Sequence, residues 1–155
     1  MHKKLNNKGF TIVEVLIVLA IAGAILAAVL VAVPALQRSG RNSTARTTAQ
    51  QVAAAISNNE AANNGTVPTV VSSASGTLSF TGGTVATTAQ VPAGITVATG
   101  TTAPKVNQIT AVKDSNCTAN SASTFAGAYT AAVGSWAIVY VIENGGANAY
   151  GCVSA

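Results

Sequence analysis

The chain has 155 residues, 49 % of them hydrophobic and only 8 % charged, with a formal net charge of +4. Three of the eight cations and the only histidine, His2, stand before Phe10, so beyond Gly9 five Lys/Arg (Arg38, Arg41, Arg46, Lys105, Lys113) meet four acids (Glu14, Glu60, Asp114, Glu143), a balance of +1. That near-neutrality leaves nucleic-acid binding unsupported, and a remainder without histidine excludes Ser-His and Cys-His nucleophile pairs.

In chain order, Lys3, Lys4 and Lys8 precede a membrane-length apolar run, and positive charge there holds that end in the cytoplasm. From Phe10 to Leu36 the only strongly polar side chain is Glu14, with Thr11 milder. A carboxylate in hydrocarbon costs roughly 3 kcal/mol on insertion scales. Glu14 therefore asks for a partner, and a positive charge on another copy of the same segment suits it. Phe10–Val33 reads as a helix of about 24 residues and ~36 Å, enough to span the hydrocarbon core. A secretory signal has a shorter apolar centre, and the Ala32/Ala35 spacing that could mimic its cleavage site is interrupted by Pro34.

Lys8-Gly9-Phe10-Thr11-Ile12-Val13-Glu14 resembles the N-terminus of a type IV prepilin. That family has a short basic leader ending in glycine, a phenylalanine that becomes the N-methylated terminus, a glutamate four residues on, and then an apolar helix. The resemblance implies cleavage between Gly9 and Phe10, methylation of Phe10, and pairing of Glu14 with the α-amino group of Phe10 on a neighbouring subunit. Gly9 suits a peptidase that must approach the backbone closely. Gly23 stands where such helices often carry glycine, whereas Pro34 lies a few residues later than the helix-kinking proline of many pilins. Ala20, Ala22, Gly23, Ala24, Ala27 and Ala28 permit close helix approach and are also ordinary membrane-helix residues.

The helix continues past Pro34, where a kink or local melting is expected from the lost backbone donor. Ala45, Ala49, Val52, Ala53 and Ile56 recur at helical spacing. Asn63-Asn64-Gly65 and Pro68 form a stop signal, giving a helix of about 50 residues. Beyond Pro68 the pattern changes to strands and turns. Thr77–Phe80 and Thr84–Thr87 flank Gly82-Gly83 as a hairpin candidate. Ile95–Val97 and Ile109–Val112 are short strands, and Trp136–Ile142 is the strongest, turned by Asn144-Gly145-Gly146 into Tyr150–Val153. The fold class predicted is α+β: a long N-terminal helix, membrane-spanning in its first half, packed by its second half on a small, mostly antiparallel sheet, as in the pilin fold.

Cys117 and Cys152 are the only cysteines. In a domain outside the membrane an even pair reads as a disulfide, and closing a loop of about 36 residues contributes roughly 4 kcal/mol in the chain-entropy model. The pair is too widely spaced for a C-x-x-C redox site and lacks histidine for zinc. No Asp/Asn loop resembles a calcium site, so neither metal nor cofactor is expected. Lys105, Lys113 and Asp114 read as a solvated loop face, and Tyr129, Trp136 and Tyr140 as core or subunit-contact aromatics. Asn42-Ser43-Thr44, Asn64-Gly65-Thr66 and Asn116-Cys117-Thr118 match the N-glycosylation pattern.

The expected organisation is a cleaved leader at 1–9, a transmembrane and filament-core helix at 10–34, the second half of the long helix at 35–64, and a β-rich domain at 65–155 whose disulfide bounds 117–152. By resemblance the chain is a non-enzymatic pilus subunit, a major rather than a minor one. It would lie in the cytoplasmic membrane with its C-terminal domain outside, then polymerise into a surface fibre for adhesion, twitching motility or DNA uptake. Its implied partners are identical subunits, minor pilins, membrane lipid, the prepilin peptidase and methyltransferase, and the assembly ATPase with its membrane platform. A pseudopilin of a secretion or competence system, and a membrane-anchored adhesin that never polymerises, are the alternatives.

Overall fold

The computed structural model describes residues 9–85 and 87–155. Most of the expected leader, with Lys3, Lys4 and Lys8, lies outside the described residues, as does Ala86 within the Thr84–Thr87 candidate. The chain divides into two compact units, one ending at Gln37 and one comprising Arg38–Ala155.

One helix, α1 (Ile12–Ala62), runs from the first unit into the second. Thr11 caps its start: the Thr11 hydroxyl accepts the Glu14 amide at 3.2 Å, satisfying one of the free amides of the first turn. Its end matches the predicted stop to within two residues. Asn64 (φ 53°) and Gly65 (φ 80°) turn into the left-handed region, and the Gly65 amide reaches back to the Glu60 carbonyl at 2.8 Å. This is the Schellman closure that satisfies an otherwise orphaned carbonyl.

The second unit contains two sheets rather than the single one expected. Strands β1 (Val70–Ala74), β2 (Thr77–Thr81) and β3 (Thr88–Gln90) form an antiparallel meander. Strands β4 (Thr96–Thr99), β5 (Gln108–Cys117), β6 (Ser121–Ala122), β7 (Tyr129–Ile142) and β8 (Ala149–Ser154) form a sheet in the order β4-β5-β7-β8-β6. It is antiparallel except for the β4–β5 pair. Hydroxyls join the two sheets: the Val71 amide donates to Thr99 Oγ1 at 2.6 Å, and the Val97 amide to Ser73 Oγ at 2.7 Å.

Two expectations are corrected here. Thr84–Thr87 is not the partner strand of β2; Thr88–Gln90 is, because the chain after Gly82-Gly83 is first held by the helix end. The Asn63 carboxamide accepts the Val85 amide at 2.7 Å and donates to the Val85 carbonyl at 3.2 Å, so these groups are taken from any ladder. The tight hairpin lies instead at Ser75-Gly76, between β1 and β2, where both residues have positive φ (50° and 79°). That matches the I′ turn whose twist suits paired strands. Lys113 and Asp114 belong to β5 rather than to a loop, at a bulge where the register against β7 slips.

The continuous hydrophobicity of β7 is explained by burial on both faces. Trp136, Ile138 and Tyr140 alternate toward a core shared with Ala49, Val52, Ala53 and Ile56 of α1. Ala137 and Val139 face a second core with Val112, Ala128 and Cys152. The strand's period of two thus fills two apolar layers rather than one. Along α1, Ala45, Ala49, Val52, Ile56 and Asn59 make the stripe that meets the sheet, at the expected three- and four-residue spacing, and Asn63 continues it just past the helix end.

Candidate functional site

The N-terminal unit exposes its apolar side chains. Sixteen of the twenty exposed large hydrophobics among the described residues lie between Phe10 and Leu36, with Phe10 at 82 %, Leu30 at 75 % and Val31 at 80 %. Over 18 residues the mean hydropathy of this helix reaches 3.1 with no burial, long and apolar enough to cross a membrane. Such a surface requires either lipid or other protein as its solvent. The helix passes Pro34 without interruption, although proline offers no amide to the turn before it.

Glu14 stands in this unit as the third helical residue after the Thr11 cap. Thr11-Ile12-Val13-Glu14 therefore has the pattern of a capping box. The Glu14 side chain is exposed and forms no ion pair among the described residues. The helix start also favours negative charge there, since the macrodipole is positive at that end.

In the second unit, α1 is tied to the end of β7 by a clamp with no local signature in the sequence. Arg41 Nε and Nη2 donate to the two Glu143 carboxylate oxygens at 2.6 and 2.7 Å. Next to it the Asn42 carboxamide pairs with the Glu143 backbone, accepting its amide at 2.8 Å and donating to its carbonyl at 3.1 Å. The fork-to-fork geometry is the strong form of a charge-assisted pair. The hydrogen bond from Arg41 holds the Glu143 carboxyl below the usual carboxylate range, with the Arg41 and Arg38 charges adding to it against desolvation. Glu60 is the opposite case: burial pushes its carboxyl up, and its Oε1 is buried without a partner.

Cys117 and Cys152 are bonded, with their Cα atoms 5.7 Å apart. The bond joins the end of β5 directly to β8. The two strands flank β7 in the sheet order, but Cys117 pairs with Tyr129 and Cys152 with Val139, well apart along β7. The bond closes the second core, where the Phe125 ring meets Tyr129 edge-on at 5.2 Å and Tyr150 at 5.9 Å. The Asn116 carboxamide secures the same corner by accepting from the Cys117 amide and the Ser154 hydroxyl. Two of the three glycosylation matches thus take part in internal hydrogen bonds. At Asn42 the nitrogen that would carry a sugar is already donated to Glu143.

A family model described as "Prokaryotic N-terminal methylation motif" matches residues 4–30. No curated protein and no solved structure matches the chain. The matched segment covers Gly9, Phe10 and Glu14 and continues into the exposed apolar half of α1. It precedes a helix-on-sheet α+β arrangement consistent with the pilin fold. Residues 4–30 therefore carry the methylation motif of a type IV pilin-like prepilin, joined to a domain of the matching plan.

Proposed function

We propose that the chain is the structural subunit of a type IV pilus. It is held in the cytoplasmic membrane by Phe10–Pro34, with its β-rich domain outside. It is cut between Gly9 and Phe10, methylated on Phe10, and polymerised into a surface filament. The Cys117–Cys152 bond fits a domain that matures outside the membrane.

The observation that carries this reading is the bare apolar helix with a single carboxylate at its third position. Moving such a helix from lipid into a fibre gains little from hydrophobicity alone. Specificity comes from side-chain packing and from the Glu14 carboxylate meeting the α-amino group of Phe10 on the next subunit. A contact of this kind is heterologous, so identical chains extend an open helical array. Pro34 supplies the point at which the helix bends or melts as subunits pack. The peptidase, methyltransferase, assembly ATPase and platform act on the chain as separate proteins.

Glu14 also has a local role at the helix start, and the test must separate the two. Glu14→Gln keeps the capping-box pattern and removes the charge, whereas Thr11→Ala removes the cap and keeps the charge. The expected result is membrane insertion in both, with surface filaments lost in Glu14→Gln and retained in Thr11→Ala. Normal filaments from Glu14→Gln refute the pairing role.

A further inference from the structure

Beside the contact of α1 with the sheet, the second unit carries an open groove of about 950 Å³ that the filament reading does not use. One wall is a stripe on α1: Ser39, Ser43, Arg46 and Gln50 follow one another at three- and four-residue spacing, so they share a face. Asn120 stands among the residues of the other side, and Tyr140 of β7 also lines the groove. None of these six side chains hydrogen-bonds to another described residue, and Arg46 has no carboxylate within ion-pair distance among them.

Tyr140 makes this more than a wetted face. It is 4 % exposed, and its ring lies over Gly151 of β8, where an added Cβ would meet the ring carbon Cζ at 2.2 Å. A buried phenol ordinarily finds a partner for its hydroxyl. The Tyr140 hydroxyl has no partner among the described residues, but it is not a fully buried atom; it lines the groove, where solvent or a ligand can supply the partner. Burial pushes its pKa up while the Arg46 charge pulls it down, and both residues line the groove. A cation, a hydroxyl donor at the groove and free amides line a space of the size that small-molecule sites occupy.

We propose that this groove binds an acidic saccharide, with Arg46 and the Tyr140 hydroxyl receiving a sugar carboxylate. Arg46 supplies the charge and a planar set of donors matched to a carboxylate. Gln50, Ser39, Ser43 and Asn120 each offer both a donor and an acceptor, which is what ring hydroxyls require. The groove lining includes no acid, so nothing in it repels an anion. An acidic peptide shares the charge and also carries backbone donors and acceptors, so the test below sets the two against each other.

The test is titration of the full chain, kept monomeric in mild detergent, with trigalacturonate and with the neutral trisaccharide maltotriose, followed by calorimetry. Trigalacturonate should bind at least about ten-fold more tightly than maltotriose, as the loss of one charge-assisted hydrogen bond implies. Arg46→Gln should weaken trigalacturonate binding about ten-fold or more, with partial recovery in Arg46→Lys. Tyr140→Phe, which keeps the ring over Gly151, should weaken it several-fold without moving the unfolding midpoint. No heat with trigalacturonate up to about 10 mM overturns the proposal, as does equal binding of the neutral sugar or undiminished binding by Arg46→Gln. Tighter binding of a triglutamate peptide also overturns it, in favour of a protein partner. The assay needs no filament, so its failure and the failure of the pilus reading are separate results.

Discussion

Gly151→Ala tests the packing around Tyr140 with one carbon atom. Gly151 faces Tyr140 in the β7–β8 register, and its backbone lies outside the left-handed region, so alanine is conformationally permitted. The obstacle is the ring, because the new Cβ would stand 2.2 Å from Cζ, 2.5 Å from the hydroxyl oxygen and 2.6 Å from Cε2. Tyr140 cannot swing clear, since it is 4 % exposed and packed in the helix-facing core. Overpacking of this kind costs about 1–3 kcal/mol, partly offset by about 0.4–1 kcal/mol from a stiffer unfolded chain. The expected net loss is about 1–2 kcal/mol. Urea unfolding of the full chain in mild detergent can be followed by Trp136, the only tryptophan, which is fully buried. In a Tyr140→Ala background, itself weakened by about 3–5 kcal/mol, Gly151→Ala should be neutral or stabilising. The resulting coupling is at least about 1 kcal/mol, as expected of residues in contact. Equal losses in both backgrounds, or a gain in the parent chain, refute the reasoning.

Three further outcomes are expected. Replacing both Cys117 and Cys152 by serine should lower unfolding free energy by roughly 4 kcal/mol, the loop-closure contribution for their separation of 35 residues, measured by denaturant titration. Glu143→Gln should weaken the parent's stability at neutral pH but not at acid pH. The Glu143 carboxyl is held below its ordinary 4.5, so its contribution is present above that value and is lost as pH falls through the lower folded value. Glu60→Gln should do the reverse. Burial raises the Glu60 pKa above 4.5, so the parent loses stability as pH rises from there through the raised folded value, and the variant should be more stable at neutral pH. Unfolding midpoints of the two variants across acid and neutral pH distinguish these opposite signs.

What could be read from the sequence follows the range of the interactions involved. The helix was legible because Ala45, Ala49, Val52 and Ile56 repeat at its period and Asn64-Gly65 ends it with local backbone chemistry. β7 was legible because both its faces are buried, which makes its apolar run continuous. The Ser75-Gly76 hairpin was missed although a Ser-Gly dipeptide between short strands marks such turns. Gly82-Gly83 carries the stronger turn signal, yet Val85 just beyond it is bound by Asn63 from the helix end. β3 had no signal at all, being three residues, Thr-Ala-Gln, whose place is set by β2. The Arg41–Glu143 clamp joins residues 102 positions apart, and the seat of the Tyr140 ring depends on Gly151 having no side chain; neither leaves a pattern in linear order. The segment around Glu14 is the reverse case, since its motif and apolar run are wholly local.

Processing and export of the chain leave their record in the mass of the mature protein. Intact mass and N-terminal fragmentation should be determined on protein sheared from the cell surface. The expected result is a chain that begins at N-methylated Phe10, with Cys117 and Cys152 oxidised, as an abundant component of that material. A chain that retains Met1–Gly9, or one absent from the sheared fraction and found only in membranes, contradicts it.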